Sequence, residues 1–147
     1  MNKIDNDKIL QFIFAGDAVF TVRNEKTGNR FTYRVQALKR SRPQAEKDFF
    51  FVKSFYGNEN ETNYKYFGTI YEDRSFKMSD KSKLSAEAKP VIAFKWLLPK
   101  LLSNTLPDFV AIYHEGRCGR CGRRLTVPES ILSGFGPECI GYINQVA

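Results

Sequence analysis

Apolar and polar positions alternate through the first half of the chain with the period of half-buried strands. In GNRFTYRVQAL (28–38), Phe31, Tyr33 and Val35 alternate with Thr32, Arg34 and Gln36. AVFTVRN (18–24) precedes it and is rich in β-branched and aromatic residues. Residues 24–29 between them, NEKTGN, read as a hairpin loop in which Gly28 suits a positive φ. DFFFVKSFY (48–56) is a strongly apolar strand, GNENET (57–62) a polar turn, and NYKYFGTIYE (63–72) a further alternating strand. SFKMS (75–79) is a short strand after Asp73 and Arg74. Residues 8–14, KILQFIF, carry too little period to separate a short helix from a first strand.

The period then changes. Val91, Phe94, Leu98 and Leu101 follow a 3-4-3 spacing, the apolar stripe of a helix. Pro90 belongs in a first turn, so the helix is expected to begin near Lys89, with Ser85 as the candidate N-cap and a kink or an end near Pro99. FVAIYHE (109–115) is a last strand that delivers the chain to His114, and CIGYINQ (139–145) is a short helix. The fold class expected is α+β: a small antiparallel sheet with one main helix across it and a C-terminal zinc knuckle. The domain reading is residues 1–113 as the α+β domain and residues 114–147 as a zinc-binding segment packed on it.

Composition narrows the classes. The chain has 147 residues, the length of one domain, with 42% hydrophobic and 27% charged residues as in an ordinary globular protein. The longest apolar stretch, VIAFKWLLPKLL, is interrupted by Lys95, Pro99 and Lys100, short of the roughly 18 residues of a membrane span. A cytoplasmic location, in a bacterium or an infected host cell, is expected. The net charge of +7 and pI near 9.4 favour polyanionic partners, although a basic surface also serves solubility alone. The excess is local: residues 1–40 hold eight basic and four acidic side chains, and residues 41–83 hold eight and seven.

Four arginines sit close together in HEGRCGRCGRRLTVPESILSGFGPEC (114–139), which holds the only histidine and all three cysteines. Cys118 and Cys121 form a C-x-x-C-G turn, a spacing at which two thiolates bite one metal ion. Seventeen residues separate Cys121 from Cys139, which follows a Gly-Phe-Gly-Pro bend and opens a helix, where a thiol loses its proton more readily. Sulfur with imidazole suits zinc, and a structural zinc site takes four ligands, so Cys118, Cys121 and Cys139 with His114 make the candidate Zn2+ site. Glu115, Glu138 or a water are the other candidates for the fourth place. A disulfide leaves one cysteine over, a redox pair lacks a βαβ context, and three unrelated buried cysteines are the bland alternative.

The segment lacks the H-x-E and P-C-x-x-C of zinc deaminases, and four protein ligands leave no open position for water. No nucleophile elbow, phosphate-binding glycine loop or H-E-x-x-H is present, and the carboxylate pairs Glu59/Glu61 and Glu72/Asp73 lie in polar turns. The chain reads as a non-enzyme with no small-molecule substrate. CGRCGRRLTVPESILSGFGPEC resembles a small, functionally uncharacterised zinc-finger-like domain family of bacterial, bacteriophage and mobile-element proteins, matched over residues 117–139. The resemblance implies zinc binding and a phage or mobile-element origin, and supplies no activity.

Arg117, Arg120, Arg123 and Arg124 surround the cysteine turn, and Lys39, Arg40 and Arg42 form a second cluster. Guanidiniums on a metal-held loop lose little entropy on pairing with phosphates. Arg23, Arg30 and Arg34 are expected to share one sheet face, and Tyr33, Tyr64, Tyr66 and Phe67 are candidate base-stacking aromatics, with core packing as their ordinary role. Nucleic acid is therefore the expected partner. The alternative is a protein-binding modulator of a host machine such as a polymerase or a CRISPR or other defence complex.

Overall fold

A computed structural model describes residues 2–55 and 63–146. The turn expected at 57–62, the end of the strand at Tyr56 and the pair Glu59/Glu61 lie outside the described residues. The elements in chain order are β1 (Asn2–Lys3), a single 3-10 turn (Asn6–Lys8), α1 (Ile9–Ile13), β2 (Asp17–Asn24), β3 (Arg30–Ala37), α2 (Leu38–Ser41), β4 (Phe50–Phe55), β5 (Tyr64–Ile70), β6 (Phe76–Met78), α3 (Lys89–Leu102), β7 (Val110–His114), α4 (Pro128–Ser133) and α5 (Pro137–Val146). The fold is α+β. Among the described residues seven strands form one antiparallel sheet in the order β1-β7-β2-β3-β4-β5-β6.

The central hairpin forms as its sequence dictates. The Asn24 side-chain oxygen accepts from the backbone N–H of Lys26 and Thr27, and Gly28 adopts a φ of 78°. Register then sorts the side chains. Phe20 stands opposite Tyr33, and Tyr33 opposite Ser54, all fully buried on one face. Helix α3 lies over this face: the Phe94 ring packs at 5.2 Å from Tyr33, 5.8 Å from Phe67 and 5.2 Å from Phe76. The Tyr33 hydroxyl donates to the Pro90 carbonyl at 2.6 Å, and burial holds its phenol far above the usual range.

Helix α3 begins at Lys89 with Pro90 in its first turn, and Val91, Phe94, Leu98 and Leu101 are buried, joined by Leu97. One expectation needs correction and one holds. Ser85 is not the cap: Ala88 occupies that position, while the Ser85 hydroxyl accepts from the Glu87 N–H in the approach turn. Pro99 lies in the last turn and the helix ends three residues later at Leu102, as the late proline predicts. Pro99 and Lys95, whose carbonyl loses its partner, are both on the exposed side, where water can bond that carbonyl.

The ambiguous segment 8–14 becomes α1, because a helix puts Ile9, Phe12 and Ile13 together into the core. The C-terminal segment shares that core: Cys118, Leu125, Phe135, Cys139 and Ile143 are buried in one cluster with the side chains of the sheet and α3. No helix among the described residues is long and apolar enough to cross a membrane.

Candidate metal centre and the basic surfaces around it

Strand β7 lies between β1 and β2 and carries the chain to a tight loop at the start of β2. Cys118 N–H donates to the Arg123 carbonyl at 2.8 Å and Gly122 N–H to the Cys118 carbonyl at 2.8 Å, which closes the C-x-x-C turn. The Asp17 N–H reaches the Gly119 carbonyl at 3.0 Å, and the Gly119 N–H reaches the Gly134 carbonyl at 2.9 Å. These bonds tie the turn to β2 and to the bend before α5, so Cys139 arrives from the far side.

The three sulfurs lie within 4.8 Å of one another. Sulfurs bound tetrahedrally at about 2.3 Å from one ion stand roughly 3.8 Å apart, so small side-chain adjustments complete the bite. The environment suits thiolates. Burial pushes Cys118 up, but N–H groups of Gly136, Cys121 and Arg120 outweigh it and hold this thiol below its usual range. Burial first, and then Cys118 nearby, push Cys139 up to about 11, against the Arg120 guanidinium that donates to its sulfur at 3.4 Å. A second thiolate beside the first is disfavoured without a cation, and a bound cation reverses that. The three cysteines are thus placed to bind a metal ion.

His114 is not brought to the sulfurs. It pairs with Phe20 in the β2–β7 register, is 1% exposed, and packs its ring 5.8 Å from Phe12. The Gly116 N–H donates to Nδ1 at 3.0 Å, so Nε2 carries the proton and donates to the Ile131 carbonyl at 2.7 Å. Both ring nitrogens are therefore engaged with backbone, and His114 acts as a strut beneath α4. Glu115 is also engaged, accepting from the Thr21 hydroxyl.

Substituting glutamine for His114 is expected to leave metal stoichiometry intact and to reduce stability by about 1–3 kcal/mol, read by metal analysis and denaturant unfolding. Burial lowers the His114 pKa from its ordinary 6.5. Its contribution is thus fully present above pH 6.5 and is lost as the pH falls towards the lower folded-state value. The stability difference between wild type and H114Q should narrow below that pH. Proton competition at the sulfurs affects both proteins and cancels in the difference.

Five of the seven predicted basic site residues divide between two concavities. A broad groove of about 930 Å³ is lined by Lys39, Arg40, Arg74 and Arg120, with Asp48 opposing them. Arg120 stacks 4.0 Å from the Tyr142 ring centre. Arg74 stacks 4.2 Å from Phe14, with its Nη1 buried and without a hydrogen-bond partner. The two basic clusters meet at Gly16, whose φ is 151° and where an added Cβ would stand 2.6 Å from the Arg120 carbonyl and 2.9 Å from the Arg40 side chain. A smaller cleft of about 390 Å³ on the second sheet face is lined by Arg34, Arg117, Arg124, Asp17, Glu115 and Tyr64. Arg42 and Arg123 are exposed and line neither.

Among the aromatics, Tyr33 and Phe67 are core residues beneath α3, which corrects their candidacy for stacking. Tyr64 and Tyr66 pair across the ladder with Phe55 and Lys53 and are half-buried on the second face, beside Phe51. Arg23, Arg30 and Arg34 do share that face, as the register requires. Arg74 and Tyr142 had no signal in the sequence. Each is separated by many residues from the side chains that make it relevant.

Fold and site together define an α+β protein whose C-terminal third carries a three-cysteine cluster placed for a metal ion. Residues 111–143, from β7 into α5, match the model of a family of unknown function, DUF6011. No curated protein and no solved structure matches the chain.

Proposed function

We propose that this chain is a non-catalytic nucleic-acid-binding protein whose arginine-bearing loop is held by zinc. The observation that carries the reading is the groove in which Lys39 and Arg40, distant in sequence from the cysteine turn, meet Arg120 and Arg74, with Asp48 the one carboxylate among the described residues that line it. Such an excess of cations in a concavity attracts phosphates. Arg120 links the two features, since its guanidinium also bonds the Cys139 sulfur. A metal at the sulfurs would fix the loop that presents it.

Zinc is the metal proposed because a thiolate-rich set selects it over oxygen-loving cations. Cys118, Cys121 and Cys139 would hold it, with the fourth place taken by solvent or by a ligand from outside the cluster, so the non-catalytic reading rests on the sequence's lack of a catalytic motif and not on a closed coordination sphere. An origin in a phage or mobile element rests on the resemblance of residues 117–139 alone.

Titration of fluorescent single-stranded and duplex oligonucleotides at about 50 and 200 mM salt tests the reading. Binding that weakens steeply with salt is expected, and the pair Lys39→Glu and Arg40→Glu should weaken it about tenfold or more. Absence of binding at the lower salt would refute it.

A further inference from the structure

The second face of the sheet opposes like charges at two places, and the cysteine loop beside it does so at a third. Arg23 stands directly opposite Arg30, Arg34 opposite Lys53, and Arg117 opposite Arg124 in the bridge of the cysteine loop. Like charges facing each other across a ladder destabilise it. Arg34 is balanced by a bidentate pair with Asp17 at 2.8 and 2.9 Å. Lys53 is pushed down by burial and then by the Arg34 charge. Arg23 likewise has Glu25 at 3.7 Å, and an anion lying over this face adds to these partners.

The same face carries aromatic pairs. Phe55 and Tyr64 pack at 5.6 Å, and Phe51 and Tyr66 at 6.1 Å, all four half-buried. The contacts of α1, α3 and α4 described above fall on the other face, at His114, Tyr33 and Phe50. Phe51 and Phe55 are about 13 Å apart along β4 at the usual strand rise, with Lys53 midway. The Arg34 guanidinium lies 5.9 Å from the Tyr64 ring centre. Aromatic rings interleaved with cations on a sheet surface match the two chemistries of a single strand, unpaired bases and a phosphate backbone. A duplex keeps its bases stacked inside and cannot use the rings.

We propose that this face is a platform for single-stranded nucleic acid, with bases stacked at Phe55–Tyr64 and Phe51–Tyr66 and phosphates along Arg34, Lys53, Arg117 and Arg124. The proposal rests on the nucleic-acid reading above and adds a second contact surface and the strandedness of the ligand. The groove of Lys39, Arg40, Arg74 and Arg120 lies on the other side of the cysteine loop and is a separate surface.

The test measures binding of labelled thymidylate and uridylate oligomers of about 15 nucleotides and of a mixed-sequence duplex of the same length. Expected is tighter binding of a single strand, DNA or RNA, than of the duplex. The double variant Phe55→Ala with Tyr64→Ala should lose about fivefold or more of the single-strand affinity and leave duplex binding unchanged. Tyr64→Phe, which keeps the ring, should retain it, and Lys53→Gln should lower the salt slope by about one phosphate contact while preserving the fold. Thermal melts establish that each variant is folded, and Lys53→Gln decides if the alanine pair is not. Duplex preference, or single-strand binding unaffected by these variants yet abolished by Lys39→Glu with Arg40→Glu, overturns the platform and leaves the groove reading standing. Failure of every oligonucleotide to bind overturns both.

Discussion

Replacing Cys118 with serine is expected to abolish stoichiometric metal binding and to lower the thermal midpoint by about 10 °C or more. Cys118 is fully buried and its sulfur receives backbone N–H bonds that favour a thiolate; a serine hydroxyl neither ionises there nor binds a soft-ligand metal comparably. Metal binding to structural zinc sites is worth on the order of 10 kcal/mol or more, and the part of it coupled to folding appears directly as stability. A loss of only about 3 kcal/mol shifts the midpoint of a chain this size by roughly 6–12 °C. The effect should be regional. Hydrogen exchange should accelerate across residues 115–146, while the β3–β4–β5 ladders stay protected. Metal analysis and a melt of wild type treated with chelator provide the check: the chelated wild type should melt like the variant. If purified wild-type protein carries no metal at near-stoichiometric level, the metal centre is wrong.

Phe12→Ala is the second large effect, expected at about 3–5 kcal/mol. The ring is 1% exposed and stands 5.8 Å from both His114 and Phe135. It also lies against the cysteine turn itself: a Cβ added at Gly119 would stand 2.6 Å from it. One side chain from the N-terminal helix thus supports the loop that bears Cys118 and Cys121. Its removal should reduce global stability in denaturant and also speed metal release to a chelator. A surface substitution of equal stability cost should not do the latter. Equal release rates in the two would show that Phe12 supports only the core.

Much of the fold was legible because it is local. Alternation located β3 and β5, β-branched and aromatic content located β2, Gly28 marked the hairpin, and Pro90 marked the start of α3. The two-residue strand β1 was illegible, since it exists only by pairing with Lys3 opposite Tyr113 and Asn2 opposite His114. Segment 8–14 was ambiguous because five helical residues carry barely more than one turn of period, and packing of Phe12 decided the matter. Pro99 marked the approach of the helix end, and the last turn passes it because the Lys95 side of the helix is exposed, where water can take the carbonyl left unpaired.

The candidate site divides in the same way. Cys118 and Cys121 announce themselves by spacing, and Cys139 by the glycines and proline before it. His114 met the same chemical criteria, but its exclusion from the cluster is a matter of register: opposite Phe20, its ring enters the core and spends both nitrogens on Gly116 and Ile131. Among the tyrosines, period alone separates neighbours onto opposite faces without saying which face a helix will take. Helix α3 took that of Tyr33, and left Tyr64 and Tyr66 on the other.

The sequence by itself determined which residues alternate, where the hairpin turns, which sulfurs can share an ion and that the chain is cationic, since each depends on neighbours along the chain. The tertiary structure decided which face is covered, that His114 supports α4 rather than joining the sulfurs, and that Arg40 and Arg120 meet over Gly16. Those outcomes depend on strand order and register, through which a single packing of α3 and β7 assigns every side chain its surroundings at once.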